Sequence, residues 1–244
     1  MINLLIDMGN TRLKWAVMQD GELSTGRALV NQLITRHELV EAWKMQTPPE
    51  RLVIACVSAT ALLELVLTVA AELWPAIDII PVKSQAHAFG VHNAYQQPEK
   101  LGVDRWMALV AVRNRYHKPA CIVDCGTAIT VDLIDADGKH QGGLICPGLT
   151  LMKKSLATGT EALQYQETNY VFGAANFTEA AIYSGTLAAA VGLIEYVLTQ
   201  QSNPMAVILT GGDADVIAQQ LKCKPIIDTD LVLRGLAIIL ESRV

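Results

Sequence analysis

Two stretches of this chain follow the same pattern, and this repetition is the strongest constraint on its fold. In each stretch an apolar run ends at an acid, a glycine follows two residues later, and an alternating apolar run resumes. The first stretch is residues 4–17 with Asp7 as its acid, and the second is residues 121–134 with Asp124. This pattern predicts a β-hairpin whose first strand ends at the carboxylate.

Each predicted turn suits a phosphate group and a metal ion. Successive backbone N–H groups in a tight turn form a concave anion site, and Lys14 adds a positive charge beside the first one. An acid next to an anion site indicates a metal ion between them, because a bare carboxylate repels phosphate. On the first stretch alone, a plain hairpin with a surface aspartate explains the pattern equally well. The second copy favours two equivalent hairpins that hold a polyphosphate and its metal from both sides.

A third stretch, residues 207–214, is an apolar strand that runs into Gly211 and Gly212 at the start of a helix. Glycines at this point let a flat, bulky ligand lie against the main chain. With 244 residues, of which 51% are hydrophobic and 18% charged, the chain is long enough for two well-buried lobes. The repeat places them at residues 1–117 and 118–244.

Composition also argues against several classes of function. The net charge is −5, Lys and Arg do not cluster, and there are only three Phe, so a nucleic-acid surface is not expected. Asp7 comes too early for a signal peptide, and no apolar run approaches the length of a bilayer span, which predicts a cytoplasmic protein. Five cysteines without a CxxC pair favour buried free thiols over disulfides or zinc ligands.

A helix is predicted from Gly102 to Tyr116, and its first turn carries Asp104 and Arg105. The helix dipole favours a carboxylate there by about 0.3–1 kcal/mol, which is a sufficient structural reason for Asp104. The same dipole disfavours Arg105, so that side chain indicates an anion to be bound.

Glycines elsewhere leave alternatives open. Gly142 and Gly143 lie in a strand that closes on Pro147-Gly148, which indicates close approach to a ligand or to a neighbouring strand. A long helix beginning near Thr178 carries a strip of small residues, which suits core packing or a subunit interface. The members of this strip are Gly185, Ala189 and Gly192.

The hairpins and the Gly-Gly helix start resemble the superfamily of actin-like ATPases and of sugar and acetate kinases. Within it, five motifs in order over the whole chain resemble type III pantothenate kinase. These are Asp7-Met8-Gly9-Asn10-Thr11 with Lys14, Leu101-Gly102-Val103-Asp104-Arg105, Asp124-Cys125-Gly126-Thr127-Ala128 with Thr130, Gly142-Gly143 with Pro147-Gly148, and Thr210-Gly211-Gly212. The resemblance implies an α/β fold of two actin-like (ribonuclease H-like) lobes with a cleft between them.

The resemblance implies that ATP phosphorylates the primary hydroxyl of pantothenate, giving 4′-phosphopantothenate in the first step of coenzyme A synthesis. Asp104 matches the family's catalytic base, and Arg105 would bind the pantothenate carboxylate through two hydrogen bonds. The other residues that the resemblance assigns to pantothenate are Tyr95, Gly102, Val103 and Thr186.

The resemblance also implies the ATP and metal sites. Asp7 would hold Mg²⁺ through water, Thr127 would donate to phosphate, and Asp124 matches the site of a monovalent cation, K⁺ or NH₄⁺. The residues assigned to ATP are Asp7, Met8, Gly9, Asn10, Thr11, Arg12, Leu13, Lys14 and Thr127, with Gly211 and Gly212 against the adenosine. A homodimer is implied, without nucleic-acid or membrane partners. In one departure, residues 161–164 lack the proline that is usual in the family.

Two rival functions stay open at this point. One is a kinase of another small alcohol, or a phosphatase, on the same fold. The other is a non-catalytic regulatory relative, which should have lost the base or a phosphate-site carboxylate. The chain retains Asp7, Asp104 and Asp124, which favours an enzyme.

Overall fold

A computed structural model describes residues 2–159 and 168–242 of the chain. The chain forms two compact units, one of residues 1–117 with 230–244 and one of residues 118–229. Each unit is a β-sheet with helices, as predicted for an α/β protein.

The first unit contains a sheet in the order β3-β2-β1-β5-β6, with β4 also paired to β2. Its elements are β1 (Ile2–Met8), β2 (Arg12–Gln19), β3 (Glu22–Thr25), β4 (Leu29–Val30), α1 (Arg36–Trp43), β5 (Arg51–Cys56), α2 (Thr60–Leu73), β6 (Asp78–Pro81), β7 (His87–Ala88), β8 (Val91–His92), α3 (Val103–Tyr116) and α7 (Leu231–Glu241). Strands β1 and β2 are antiparallel, whereas β1 pairs with β5 and β5 with β6 in parallel.

The middle of strand β1 is apolar because the strand is central in its sheet and is covered on both faces. Leu4, Leu5 and Ile6 are all buried, as expected of a strand with a parallel neighbour in an α/β sheet. On one side α1 and α2 pack together, and their ends meet where the Trp43 and Trp74 rings lie 6.0 Å apart.

The last helix joins the first unit, which corrects the expected second lobe of residues 118–244. Helix α7 packs against α3 and β1. A Cβ atom at Gly235 would collide with the carbonyl oxygen of Met107, so this glycine lets the two helices come close. The sequence pattern predicts α7 as a helix but carries no signal for the element it packs on.

The second unit repeats the plan of the first around a sheet in the order β11-β10-β9-β12-β13. Its elements are β9 (Ala120–Cys125), β10 (Ala128–Ile134), β11 (His140–Pro147), α4 (Leu149–Gly159), α5 (Thr178–Thr199), β12 (Ala206–Thr210), α6 (Ala214–Ala218) and β13 (Ile226–Ile227). The β9–β10 hairpin corresponds to β1–β2, and β12 lies parallel to β9 as β5 lies parallel to β1. The predicted repeat is thereby confirmed.

Helices α2 and α5 begin without a side-chain cap. They follow Ala59 and Phe177, whose side chains hold no hydrogen-bonding atom. Both helices pack an apolar face on a sheet, and that packing stabilises them without a cap.

Helix α5 also corrects the expectation about apolar runs. Within the described residues it is the one helix that is long and apolar enough to cross a bilayer by length and composition. The core helix of a globular unit passes the same test. Eight residues of α5 are buried, and five of them, among them Leu187 and Ile194, belong to the hydrophobic core of the second unit.

All five cysteines are free thiols, but only Cys121 and Cys125 are fully buried. One histidine has a structural role that no sequence pattern indicates. His140 lies with its Nε2 atom 2.9 Å from Oδ1 of Asp132, and both side chains are inaccessible to solvent or nearly so.

Candidate active site

The first predicted phosphate turn lies between β1 and β2. Asp7 stands directly opposite Lys14 in the antiparallel pair, so the two side chains share one face of the sheet. The Gly9 N–H closes the turn by donating to the Arg12 carbonyl oxygen at 3.0 Å. Asn10, Thr11 and Arg12 are exposed on this turn and accessible to a ligand.

Two of the residues assigned to ATP have side chains in the core instead. Met8 and Leu13 are completely buried, so neither residue is accessible to a ligand from solvent. A residue that sequence reasoning missed holds the turn in place. The side-chain Nδ2 of Asn31 donates to the Gly9 carbonyl oxygen at 2.8 Å and to the Ser58 hydroxyl at 3.2 Å. A lone Asn ahead of a helix gave no signal of this role.

The start of α3 brings Tyr95, Asp104 and Arg105 together. The Arg105 N–H donates to Oδ1 of Asp104 at 2.8 Å, and the Arg105 Nη1 donates to the Tyr95 hydroxyl at 2.7 Å. Arg105 is only 6% exposed, and a buried guanidinium is stable only with such partners. Gly102 precedes the helix, and the Val103 side chain is buried at its first position.

The loop before α3 has an irregular sequence, and side-chain hydrogen bonds hold its conformation. Asn93 accepts from the Tyr95 N–H at 3.0 Å through Oδ1, while its Nδ2 donates to the carbonyl oxygens of Gln85 and Pro98. The Ser84 hydroxyl donates to the Leu101 carbonyl oxygen at 2.8 Å. These side chains hold Tyr95 against Arg105, and the sequence offered no pattern that singled out Asn93.

The second turn surrounds Asp124 with small groups and hydroxyls. Thr130 and Thr210 are its direct neighbours on the two adjacent strands, so all three side chains share one face. Built Cβ atoms at Gly211 and Gly126 would lie 2.5 Å and 3.2 Å from Oδ1 of Asp124. Gly211 also has φ +92°, which only glycine adopts easily. The carboxylate thus occupies the space that side chains at these two positions would need.

Thr127 is exposed at the tip of this turn, where it can donate to an anion. Its carbonyl oxygen accepts from the Gly148 N–H at 2.9 Å, and a Cβ atom at Gly148 would collide with the carbonyl oxygen of Gly126. Pro147 ends β11 and Gly148 follows it. The glycine is therefore explained by the close approach of this segment to the turn.

A second carboxylate lies near Asp124. Burial raises the pKa of the Cys125 thiol well above its usual range, and the negative charges of Asp124 and Asp213 raise it further. The Asp213 N–H donates to the Cys125 carbonyl oxygen at 3.0 Å. Asp124 and Asp213 both lie near the Cys125 thiol, and their charges create a negative electrostatic potential that suits a cation. No sequence motif assigned a role to Asp213.

A cavity of about 200 Å³ opens between α4, α5 and the start of α6, all within the second unit. Its polar lining includes Lys153, Thr186, Gly212, Asp213 and Asp215. Thr186 and Gly212 therefore line the same cavity. The Thr186 hydroxyl donates to the carbonyl oxygens of two residues on its own helix, at 2.9 and 3.0 Å. Residues 161–164, where the proline is missing, lie outside the described residues.

The order of these turns and of the α3 start matches a known family. A family model described as type III pantothenate kinase matches residues 3–200. The chain belongs to the type III pantothenate kinase family. A type III pantothenate kinase of Nitrosococcus oceani is 40% identical and aligns with 96% of this chain and 92% of its own length. One of Dechloromonas aromatica is 36% identical, with 95% of each chain covered.

Solved structures show the fold that this type III pantothenate kinase family member shares. A protein from Campylobacter jejuni described as a Baf family transcriptional activator has a TM-score of 0.66 at 22% identity, with 98% of each chain covered. The activator of 2-hydroxyisocaproyl-CoA dehydratase from Clostridium difficile has a TM-score of 0.55 at 11% identity, covering 100% of this chain and 97% of its own. At such low identity the likeness concerns the fold alone.

Proposed function

We propose that this protein transfers the γ-phosphoryl group of ATP to pantothenate, producing 4′-phosphopantothenate and ADP, the first step of coenzyme A synthesis. Membership of the type III pantothenate kinase family supports the reaction. The observation that carries the proposal is the start of α3. There the carboxylate of Asp104 accepts the backbone N–H of Arg105, and the buried guanidinium of Arg105 donates to the Tyr95 hydroxyl.

Asp104 is the proposed general base. The pantothenate hydroxyl oxygen bonds to the γ-phosphorus, the bond from that phosphorus to the β,γ-bridging oxygen breaks, and the hydroxyl proton passes to Asp104. Phosphoryl transfer depends mainly on positioning and charge neutralisation, and the first turn of a helix is a rigid place for a base. The backbone N–H of Arg105 fixes one oxygen of this carboxylate.

Arg105 is the proposed anchor for the pantothenate carboxylate. Its guanidinium is already oriented by the Tyr95 hydroxyl, which reduces the entropy lost on binding an anion. A positive charge in the first turn of a helix is unfavourable without such an anion. Gly102 and Val103 would contact pantothenate beside it, and Thr186 is proposed to contact pantothenate as well.

The first turn is the proposed site for the ATP phosphates. Its backbone N–H groups between Gly9 and Thr11 and the nearby Lys14 supply positive potential, and Asp7 would hold Mg²⁺ through water. Bound Mg²⁺ neutralises phosphate charge during transfer. Thr127 would donate to phosphate from the second turn.

Asp124 is the proposed ligand of a monovalent cation, K⁺ or NH₄⁺. The donor set fits, because a carboxylate lies in one row with the hydroxyls of Thr130 and Thr210, and Asp213 adds negative charge nearby. Gly126 and Gly211 leave room for Oδ1 of Asp124, because side chains at these two positions would crowd this oxygen. Oxygen ligands in an electronegative place suit a hard cation of this kind.

The adenosine is proposed to lie beside Gly212, at the α6 end of the cavity of about 200 Å³, whereas Thr186 belongs to the α5 wall of that cavity. Leu149 and Val216 give this cavity apolar wall for a base, while Asp215 is a hydrogen-bond acceptor. Gly211 is better explained by its contact with Asp124 than by a ligand. The cavity favours Gly212 as the residue that meets the nucleoside.

We further propose a homodimer that functions in the cytoplasm, where ATP and Mg²⁺ are available. The small residues Gly185, Ala189 and Gly192 lie on the exposed side of α5, not in the core. This exposure supports the subunit interface over core packing as the use of the strip.

The direct test is to incubate the purified protein with pantothenate, ATP, Mg²⁺ and K⁺. We expect ADP release that depends on pantothenate, and a product with the mass of 4′-phosphopantothenate. Asp104→Asn should lower turnover ~10²-fold or more while nucleotide binding persists. Turnover of a different alcohol in place of pantothenate would support the rival kinase, and an unchanged rate in Asp104→Asn would remove that residue from the role of base.

A further inference from the structure

The backbone conformation at position 102 does not require a glycine. Gly102 precedes α3 with φ −52° and ψ 133°, a conformation that any residue adopts. Its carbonyl oxygen accepts the first helical hydrogen bond, from the Trp106 N–H at 2.9 Å, which any residue could also provide. A residue with a hydroxyl or amide side chain would even cap the helix better. The reason for a glycine must therefore be its missing side chain.

The carboxylate of Asp104 fills the place of that side chain. A Cβ atom built at Gly102 would lie 2.5 Å from Asp104 Oδ1 and 3.7 Å from its Cγ. The third nearest heavy atom is the Cδ of Arg105 at 3.8 Å, which is an ordinary van der Waals contact. A methyl group at Gly102 would thus conflict with one oxygen atom only, and that atom is the mobile end of a side chain.

The same oxygen takes part in a hydrogen bond. Oδ1 of Asp104 accepts the Arg105 N–H at 2.8 Å. A methyl group at Gly102 would require this oxygen to move, and the movement would disturb that hydrogen bond. Orientation of Asp104 and absence of a Cβ at Gly102 are therefore coupled.

We propose that Gly102 is a positioning residue, whose missing side chain sets the orientation in which Asp104 accepts the substrate proton. This inference rests on the proposed function, in which Asp104 is the base. It differs from a direct contact between Gly102 and pantothenate, which would act on substrate binding. A positioning role acts on kcat, because a displacement of about 1 Å in a reacting group can lower a rate by ~10²-fold.

The test is a double-mutant cycle of Gly102→Ala and Asp104→Ala, with kcat, KM for pantothenate and Tm measured for all four proteins. We expect Gly102→Ala alone to lower kcat by ~10–100-fold and to change KM by less than ~3-fold. In the Asp104→Ala background, where the conflicting oxygen is gone, Gly102→Ala should leave kcat unchanged. Its effect on Tm should differ from that in the parent, because only the change from Gly to Ala at the helix start remains. Such non-additivity is diagnostic of residues that act through one another.

Gly159→Ala serves as the matched control. In the described part of the chain no heavy atom lies within 4 Å of the Cβ position at Gly159, which belongs to the end of α4. This variant should keep the parental kcat and KM.

The possible outcomes distinguish the positioning role of Gly102 from the proposed role of Asp104 as the base. An equal loss of kcat from Gly102→Ala in both backgrounds, or a loss in KM alone, would overturn the positioning role while Asp104 remains the base. If the Asp104→Ala enzyme is too slow to measure, Tm decides, and equal Tm shifts in both backgrounds would overturn it. Full activity of Asp104→Ala would instead refute the proposed function.

Discussion

The Nη1 atom of Arg105 donates a hydrogen bond of 2.7 Å to the hydroxyl of Tyr95, ten residues earlier in the chain. The guanidinium also lies near the Tyr95 ring, with Cζ 5.6 Å from the ring centroid. Because Asn93 holds the backbone of Tyr95, the orientation of a buried charge depends on a loop without regular structure.

This relationship predicts that Tyr95→Phe weakens pantothenate binding more than it slows the reaction. The loss of a hydrogen bond to a charged group costs about 1.5 kcal/mol or more, so KM for pantothenate should rise roughly tenfold. The value of kcat should stay within about twofold, since Asp104 keeps its own contacts. Steady-state kinetics at varied pantothenate measure both constants.

Tyr116→Phe is the control for this experiment, because Tyr116 ends α3 away from Asp104 and Arg105. It should leave both constants unchanged. A Tyr95→Phe enzyme with parental KM would show that Tyr95 does not orient Arg105 for the substrate.

Cation dependence should follow the space around Asp124. Gly126→Ala places a methyl group 3.2 Å from Oδ1 of Asp124, whereas at Gly9 in the first turn the corresponding position meets the carbonyl oxygen of Arg12 at 3.3 Å. We expect Gly126→Ala to raise the K⁺ concentration for half-maximal activity several-fold, and Na⁺ to replace K⁺ poorly in the parent enzyme. Gly9→Ala should leave the K⁺ requirement unchanged even if it affects ATP.

A readout independent of turnover is the increase in Tm with K⁺ concentration at constant ionic strength, because a cation that binds only the folded state stabilises it. That increase should shift to higher K⁺ in Gly126→Ala. If K⁺ and Na⁺ support the parent enzyme equally and neither raises Tm, Asp124 does not bind a monovalent cation.

The buried pair of Asp132 and His140 should contribute to stability. Its Nε2 and Oδ1 atoms lie 2.9 Å apart with almost no solvent access, so removal of either partner leaves a buried polar group with one bond fewer. We expect Asp132→Ala and His140→Ala each to lower the free energy of unfolding by about 2–4 kcal/mol in urea titrations. The double variant should lose clearly less than the sum.

The ion pair of Lys222 and Glu195 is the control for the buried pair, because its lysine side chain is exposed to solvent. Its Nζ and Oε2 atoms are also 2.9 Å apart, but Lys222 is 89% exposed. The same cycle on this pair should give a coupling near zero, because solvent screens surface charges. Equal couplings for both pairs would contradict the argument from burial.

Thiol chemistry should follow burial. Burial raises the pKa of Cys121 to about 12 and that of Cys125 further, so both stay protonated at pH 8. Because only the thiolate attacks a disulfide reagent, the exposed Cys223 should react first and these two last. Peptide mapping after timed labelling measures the order, and labelling in denaturant should reach all five cysteines.

The raised thiol pKa values also have a consequence for stability. An unfolded thiol loses its proton above about pH 8.5, whereas folded Cys121 keeps its proton to about pH 12. The stability linked to Cys121 is therefore complete below about pH 8.5 and lost progressively as the pH rises towards 12. A Cys121→Ala variant should lack this component of the alkaline loss, whereas an alkaline profile identical to that of the parent would contradict it.

The sequence by itself determined the local units of this protein. Alternation on both sides of an Asp-x-Gly turn encodes a hairpin within 15 residues or so, and both hairpins form where the pattern predicts them. The start of α3 was predicted for the same reason, since a helix start depends on near neighbours. Family motifs then added roles to these local units.

Only the tertiary structure decided which distant residues meet. It joined α7 to the first unit and bonded Asn31 to the Gly9 carbonyl oxygen. It also paired His140 with Asp132, and it brought Thr186 and Gly212 to the lining of one cavity. Packing between segments far apart in sequence depends on the shapes of whole surfaces. It cannot be predicted from the periodicity of apolar residues or from the residue type at one position. The place that Gly102 leaves for Asp104 Oδ1 shows both contributions, because a local motif supplies the residues and three-dimensional geometry supplies the reason.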